Sequence, residues 1–289
     1  MYREAIRRKN AVASLCFSKR VISRKFSDFP KIPTKSPKIP GKFIMRFFVP
    51  DSNIDRENAK AFITGSDVSH LRTVLRAEIG DSLTLCDTAG AVYSCTITEI
   101  SKDRITCGIG GSEDCPSEPR VPVILLQGVP KGEKMEFIIQ KCVELGINGI
   151  IPVVTERTVV KFETKQDAAK KVARWQKIAA EASKQSGRGI VPFIGDVVKF
   201  RDAFRDIGGG LKIIPYENEH ETTLKSLLKE GLPADKIYVF IGPEGGFSMQ
   251  EIETAEEEGF APVTLGNRIL RTETAGMAAL AAIRYEIGD

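Results

Sequence analysis

Hydrophobic and polar positions along the chain fall into three textures. Residues 1–44 scatter single apolar residues among Arg, Lys and Ser, then pass through a proline-punctuated stretch at 30–40, a pattern that builds no core. From Met45 short apolar and alternating runs set in. Phe47, Phe48 and Val49 open a strand, and 82–87, 91–100 and 104–109 read as further strands between turn residues. Between them Val68, Leu71, Val74 and Leu75 recur at helical spacing behind a Ser66 or Asp67 cap, predicting a short helix that reaches Arg76. The stretch 45–110 thus reads as a small barrel-like module. The Gly-, Ser-, Glu- and Pro-rich run that follows reads as an interdomain linker over 111–120.

After Arg120 the rhythm changes to strand, helix, strand, helix. Residues 121–127 form a short apolar strand, and 134–145 a helix with Met135, Ile138, Ile139, Cys142 and Val143 on one face, stopped by Gly146. A second strand follows at 147–154. A long helix at about 165–185 turns Trp175, Ile178 and Ala182 inward. Buried strands at 211–215, 237–241 and 262–265 then interleave with helices near 222–230, 248–258 and 272–286. This alternation predicts an α/β domain over 121–289, with a mostly parallel sheet and helices on both faces.

Charge separates the leader from the rest. The chain carries 42 Lys+Arg and 38 Asp+Glu, but residues 1–44 hold 12 of the basic residues against only Glu4 and Asp28. The leader is therefore +10 and the remainder −6. An Arg- and Ser-rich, acid-poor leader fits an organelle transit peptide, for a mitochondrion or chloroplast. A basic arm that touches nucleic acid, in a cytoplasmic protein, is the alternative. No apolar stretch approaches the roughly 18 residues of a membrane span. Six cysteines without C-x-x-C spacing and two histidines, His70 and His220, exclude a zinc finger, and no metal is expected.

Ligands of open α/β sheets bind beyond the carboxyl ends of the strands, where two loops stand out. One is Ile241-Gly242-Pro243-Glu244-Gly245-Gly246-Phe247, leading into the capping box Ser248-Met249-Gln250-Glu251. The other runs from Leu265-Gly266-Asn267-Arg268-Ile269-Leu270 through Arg271-Thr272-Glu273-Thr274-Ala275 into a helix of small residues. Either loop alone reads equally as an ordinary βα turn. Neither G-x-G-x-x-G nor G-x-x-x-x-G-K-[ST] occurs, which disfavours dinucleotide and P-loop readings.

Taken with Lys131-Gly132-Glu133-Lys134-Met135-Glu136, Gln140 through Gly146, Thr155-Glu156-Arg157, Arg174-Trp175 and Arg188, these loops resemble one family. It is the ribosomal RNA small subunit methyltransferase E group, of the SPOUT class, and the resemblance runs from about Met45 to the end. It takes in Phe47-Phe48-Val49 and His70-Leu71-Arg72-Thr73-Val74-Leu75-Arg76. The resemblance implies S-adenosyl-L-methionine as cofactor, N3 of a uridine in small-subunit ribosomal RNA as target, and a homodimer. It also implies a PUA-like β-barrel at 45–110 and a trefoil knot in the α/β domain, formed around the two loops.

Carried onto this sequence, the family pattern places the cofactor at Gly242, Pro243, Glu244, Gly245, Leu265, Gly266, Ile269, Leu270, Thr274 and Ala275. Arg271 is expected to stabilise negative charge on the uracil, with Glu273 orienting it or accepting a proton; a structural Arg–Glu ion pair is the plainer alternative. Arg46, Arg72, Arg76, Lys131, Lys134, Arg157, Arg174 and Arg188 are the expected RNA contacts, because affinity for RNA needs cations on phosphate. Two further readings stay open: a related knotted methylase acting elsewhere on RNA, and an assembly factor without catalysis.

Overall fold

The computed structural model describes residues 45–232 and 234–288. The leader, with its expected transit peptide, lies outside them. The first module is one six-stranded sheet. Its strands are β1 (Met45–Phe48), β2 (Ile54–Asp55), β3 (Lys60–Thr64), β4 (Ser82–Cys86), β5 (Ala91–Ile100) and β6 (Arg104–Asp114). They lie in the order β1-β4-β5-β6-β3-β2, with β1 parallel to β4 and all other pairs antiparallel. Two register shifts between β5 and β6 bend the sheet around Phe47, Ile63, Leu71, Leu85, Ile97 and Ile105. β1 and β2 are the two ends of the path, so the expected barrel is a half-barrel.

Two expectations for this module need correction. β6 continues to Asp114, and Gly111–Asp114, expected as the start of the linker, pair with 91–94 of β5. The segment beyond it is not loose either, since Cys115 is buried and Glu118 ion-pairs with Arg188. The helix expected to reach Arg76 is α1 (Ser66–Ser69), which widens into a single π turn at His70–Val74. Arg76 lies past that turn with φ 48, so Arg72 and Arg76 are not neighbours on one helical face.

The second domain is wholly parallel. Its strands are β7 (Val123–Gly128), β8 (Gly149–Val154), β9 (Phe193–Ile194), β10 (Val198–Lys199), β11 (Leu211–Pro215), β12 (Ile237–Ile241) and β13 (Ala261–Val263). The order is β10-β8-β7-β12-β11-β13, with β9 against β8. β7 and β12 are buried along their whole length, as strands between two helical layers should be, and every residue of β7 but Gln127 is apolar or glycine. The helices are α2 (Lys134–Glu144), α3 (Lys165–Ser186), α4 (Leu224–Gly231), α5 (Met249–Glu257) and α6 (Thr272–Ile287).

One face of the sheet packs Met135, Ile138, Ile139, Trp175, Leu228, Ala279 and Ile283 against it. The other holds the rings of Phe200, Phe204, Phe240, Phe247 and Phe260, mostly edge to face. The chain enters β7, leaves for β8–β10, then returns on the far side, so β7 and β12 flank the point where the winding reverses. That switch point is where a doubly wound sheet opens a crevice.

Candidate active site

Four strand ends meet at the switch point, and glycines decide how closely. β12 stops at Ile241, and the next peptides cross the end of β7. A Cβ at Gly128 would stand 2.5 Å from the nitrogen of Pro243, so only glycine lets that crossing occur. The loop then folds onto itself, and at Gly246, with φ +66, a Cβ would meet Oε1 of Glu217 at 2.8 Å. Ser248 and Glu251 close the expected capping box at the start of α5. Glu251 Oε1 also accepts from the Glu156 amide at 2.8 Å, tying the loop after β8 to the same helix.

Opposite stands the segment between β13 and α6. Gly266 takes φ +109, a backbone region that side chains disfavour. Between the two loops lies a cavity of about 450 Å³, lined by Lys134, Glu217, Gly242–Phe247 and 269–273. A second of about 480 Å³ adjoins it, lined by Tyr216, Glu217, His220 and 264–270. Pro215, Glu217, Ile269, Leu270 and Ala275 border both, making them two lobes of one cleft. Ile269 is 88% exposed between them, an apolar side chain held out where a planar ligand can cover it.

Charge is concentrated in the first lobe. Lys134 Nζ sits 2.8 Å from Glu244 Oε1 and 3.9 Å from Glu273 Oε2. Burial pushes the Glu244 carboxyl up, but hydrogen bonds from Lys134 and from backbone amides outweigh it and hold it below its ordinary value. Glu273 Oε2 is buried and has no hydrogen-bond partner among the described residues. Arg271, the N-cap residue of α6, is exposed at the rim. Among the described residues no ion pair joins it to Glu273, whose nearest cation is Lys134. The plain ion-pair alternative for Arg271 and Glu273 is therefore not realised.

Most of the expected cofactor residues line the cleft. Gly242, Pro243, Glu244 and Gly245 face the first lobe, Leu265 and Gly266 the second, and Ile269, Leu270 and Ala275 both. Thr274 lines neither; it is exposed in the first turn of α6. Two carbonyls of these residues are already engaged. Gly242 O accepts from Thr272 Oγ1 at 2.6 Å, and Gly245 O from Arg157 Nη1 at 2.8 Å. Glu217, Tyr216, His220, Gly128 and Thr272 were not expected at the site. The first three follow β11 and Gly128 ends β7, so the carboxyl-end rule applied to every strand would have found them.

The expected RNA contacts divide. Arg188 is 2% exposed; it donates to Ile147 O and pairs with Glu118 at 2.7 Å, so it is a structural cation. Arg46 is half-buried and donates to Arg188 O at 2.9 Å, fastening the small module to the end of α3. Arg174 pairs with Glu136 at 2.9 Å, and Lys134 belongs to the cleft. Arg72, Arg76, Lys131 and Arg157 are exposed. Arg72 reaches Lys102 O at 3.2 Å, which brings it beside Lys102 and Arg104 in the β5–β6 turn. Arg104 in turn stacks over Phe62 at 5.3 Å, on the outer face of the sheet.

A half-barrel beside a parallel α/β domain with a glycine-walled switch-point cleft is the architecture of a two-domain RNA methyltransferase. The family models agree: residues 117–284 match an RNA methyltransferase domain, and 63–110 an RNA methyltransferase PUA domain. The chain belongs to the ribosomal RNA small subunit methyltransferase E family. It is 36% identical over 249 residues to that methyltransferase from Bacillus subtilis (strain 168), spanning 84% of this chain and 97% of the relative. The ribosomal RNA small subunit methyltransferase E of Neisseria gonorrhoeae, solved bound to S-adenosyl methionine, is 34% identical with a TM-score of 0.73, covering 83% of this chain and 97% of that one. A Legionella pneumophila methyltransferase solved with the same cofactor is 32% identical, TM-score 0.74, over 83% and 97% of the two chains.

Proposed function

We propose that this protein methylates N3 of a uridine in small-subunit ribosomal RNA, using S-adenosyl-L-methionine, and that it works in an organelle. The observation that carries the chemistry is Glu273: a carboxylate whose buried Oε2 accepts no hydrogen bond among the described residues and stands 3.9 Å from Lys134 Nζ, inside a cleft walled by glycine backbone.

The residues present fit the cofactor. Gly242, Gly245 and Gly266 leave room for close approach to the main chain, Ile269, Leu270 and Pro215 offer apolar surface to an adenine, and Glu217 and Glu244 suit a cationic sulfonium and ammonium. When bound, it supplies an electrophilic methyl group. Uracil N3 is protonated at neutral pH, so its proton must leave as the new N–C bond forms. Glu273 accepts that proton. Lys134 stands 3.9 Å from that carboxylate, and Arg271, with the positive end of α6 behind it, stabilises negative charge on the uracil oxygens. Fixing both reactants in the cleft supplies much of the remaining acceleration.

RNA grip on this reading comes from Arg72, Arg76, Lys102 and Arg104 of the small module, with Lys131 and Arg157 at the rim of the cleft. The 242–246 and 265–275 loops form the knot, and the Thr272–Gly242 hydrogen bond supports their close crossing. A homodimer forms over the exposed Ala278, Ala282 and Tyr285 of α6, beside an apolar groove lined by Leu224, Leu228 and Leu265. The +10 leader supports import. Calorimetric titration with the cofactor, followed by nucleoside analysis of treated ribosomal RNA, tests the proposal. Absence of cofactor binding, or methyl on an atom other than uridine N3, would refute it.

A further inference from the structure

One buried amide ties the walls of the cleft together. Gln127 is fully buried near the end of β7, in a strand whose other residues are apolar or glycine. Its Nε2 donates to Gly128 O at 3.0 Å and to Thr272 Oγ1 at 2.9 Å. Thr272 Oγ1 passes the connection on, donating to Gly242 O at 2.6 Å. Two buried hydrogen bonds thus run from β7, through the first turn of α6, to the first residue of the glycine loop. The residues on either side of Thr272, Arg271 and Glu273, both line the first lobe.

The same amide carries a cost. Gln127 Oε1 is buried with no hydrogen-bond partner among the described residues. Leaving such an atom without a hydrogen bond costs the free energy of its lost hydration. Methionine would fill a similar volume in this apolar strand without that penalty, so packing alone does not account for an amide here. A local rule broken inside a well-packed core is characteristic of a site held for function.

We infer that Gln127 is a positioning residue for the methyl-donor cleft. Through Thr272 it fixes the Gly242 carbonyl, and with it the spacing between the glycine loop and the 269–273 wall that carries Arg271 and Glu273. The inference rests on the cofactor reading given above. It assigns to Gln127 no contact with substrate; its action is through Thr272.

The test compares Gln127→Met, Thr272→Val and Thr272→Ser for cofactor affinity by calorimetry, single-turnover methylation rate at saturating cofactor, and melting temperature. Gln127→Met should weaken cofactor affinity about three- to tenfold, the scale of one hydrogen bond, and slow turnover, while its melting temperature holds or rises. Thr272→Val should weaken affinity likewise, Thr272→Ser should restore most of it, and the Gln127→Met/Thr272→Val double variant should lose less than the two singles combined. Wild-type affinity and rate in Gln127→Met, or equal behaviour of the Val and Ser variants, would overturn the inference alone. If Gln127→Met does not fold, the Val and Ser pair decides by the same readouts. A wild-type chain that fails to bind the cofactor overturns the cofactor reading and this inference together.

Discussion

Lys134, Glu244 and Glu273 show how one cation can stand between two carboxylates and engage them unequally. Lys134 makes a direct hydrogen bond to Glu244 and only a longer contact, 3.9 Å, to Glu273 Oε2, which accepts no hydrogen bond among the described residues. Glu273→Gln should therefore lower the single-turnover rate by about 10²-fold or more, the range of a lost general base, with cofactor affinity little changed. Retention of the full rate would remove Glu273 from the chemistry. Arg188 is the opposite kind of residue. It is buried and its partner Glu118 largely so, and Arg188→Ala should cost about 3 kcal/mol at pH 7 by stranding the carboxylate.

The pH dependence of that loss follows from Glu118. Burial pushes its carboxyl up, but Arg188 and the amides of Ile190 and Gly189 outweigh this and hold it below its ordinary value. The stabilisation is thus complete above the ordinary carboxylate range and disappears as pH falls through the depressed value. Denaturant unfolding of wild type and Arg188→Ala should accordingly converge in acid, and a gap that widens in acid would contradict this role. Reading Arg188 from sequence as an RNA contact overlooks its burial and its pairing with Glu118, and reading Arg46 so overlooks its bond to the Arg188 carbonyl. Residue type gives charge, but only the fold shows that both guanidiniums donate to main-chain carbonyls, Arg188 from a buried position.

At the scale of elements, strands were legible wherever side chains alone decide them. β5, β11 and β12 stand where apolar runs put them, and α2 buries the five residues expected of it. The Gly- and Ser-rich end of β6 was not legible, because its pairing with β5 is made by backbone groups that polar, exposed side chains do not announce. The π turn at His70–Val74 was hidden for a similar reason, since apolar spacing over so few residues does not separate it from an α-helical turn. The glycine loops stand out in the sequence, but Gly128, which lets the first of them cross the end of β7, sits in a strand where no motif marks it. Gly128→Ala should disturb both folding and cofactor affinity, because the added carbon strikes backbone rather than a movable side chain. Unchanged affinity in a folded Gly128→Ala protein would show that the crossing does not shape the site.

The small module makes its own prediction. Arg72 and Arg104 are exposed and joined through the β5–β6 turn, so Arg72→Glu with Arg104→Glu should weaken RNA binding and flatten its salt dependence, by about one to two in the log–log slope. Cofactor affinity should be unaffected. An unaltered salt slope would exclude this face from the RNA.

For the whole molecule, the end of α3 is where the two domains are fastened. Arg46 reaches Arg188 O, Ser117 Oγ reaches Gly187 O at 2.8 Å, and Lys184 pairs with Asp67 at 3.1 Å while lying over Phe47. These contacts hold the proposed RNA-gripping face and the cleft in one body, so binding and chemistry can be assigned to separate surfaces of a single unit. The proposed pairing of two such units leaves Tyr285, 84% exposed here, to be covered by a second copy. Ala282→Glu should then shift the sedimentation coefficient from dimer to monomer, whereas a wild-type monomer at micromolar concentration would refute the dimer.

The most direct measurement is nucleoside mass spectrometry of small ribosomal subunits that lack the modification, after incubation with this protein and S-adenosyl-L-methionine. The expected result is 3-methyluridine at a single position with wild-type protein, and little with Glu273→Gln despite normal cofactor binding. Methylation of a different atom, or no methylation by a wild-type protein that binds both cofactor and subunit, would contradict the account.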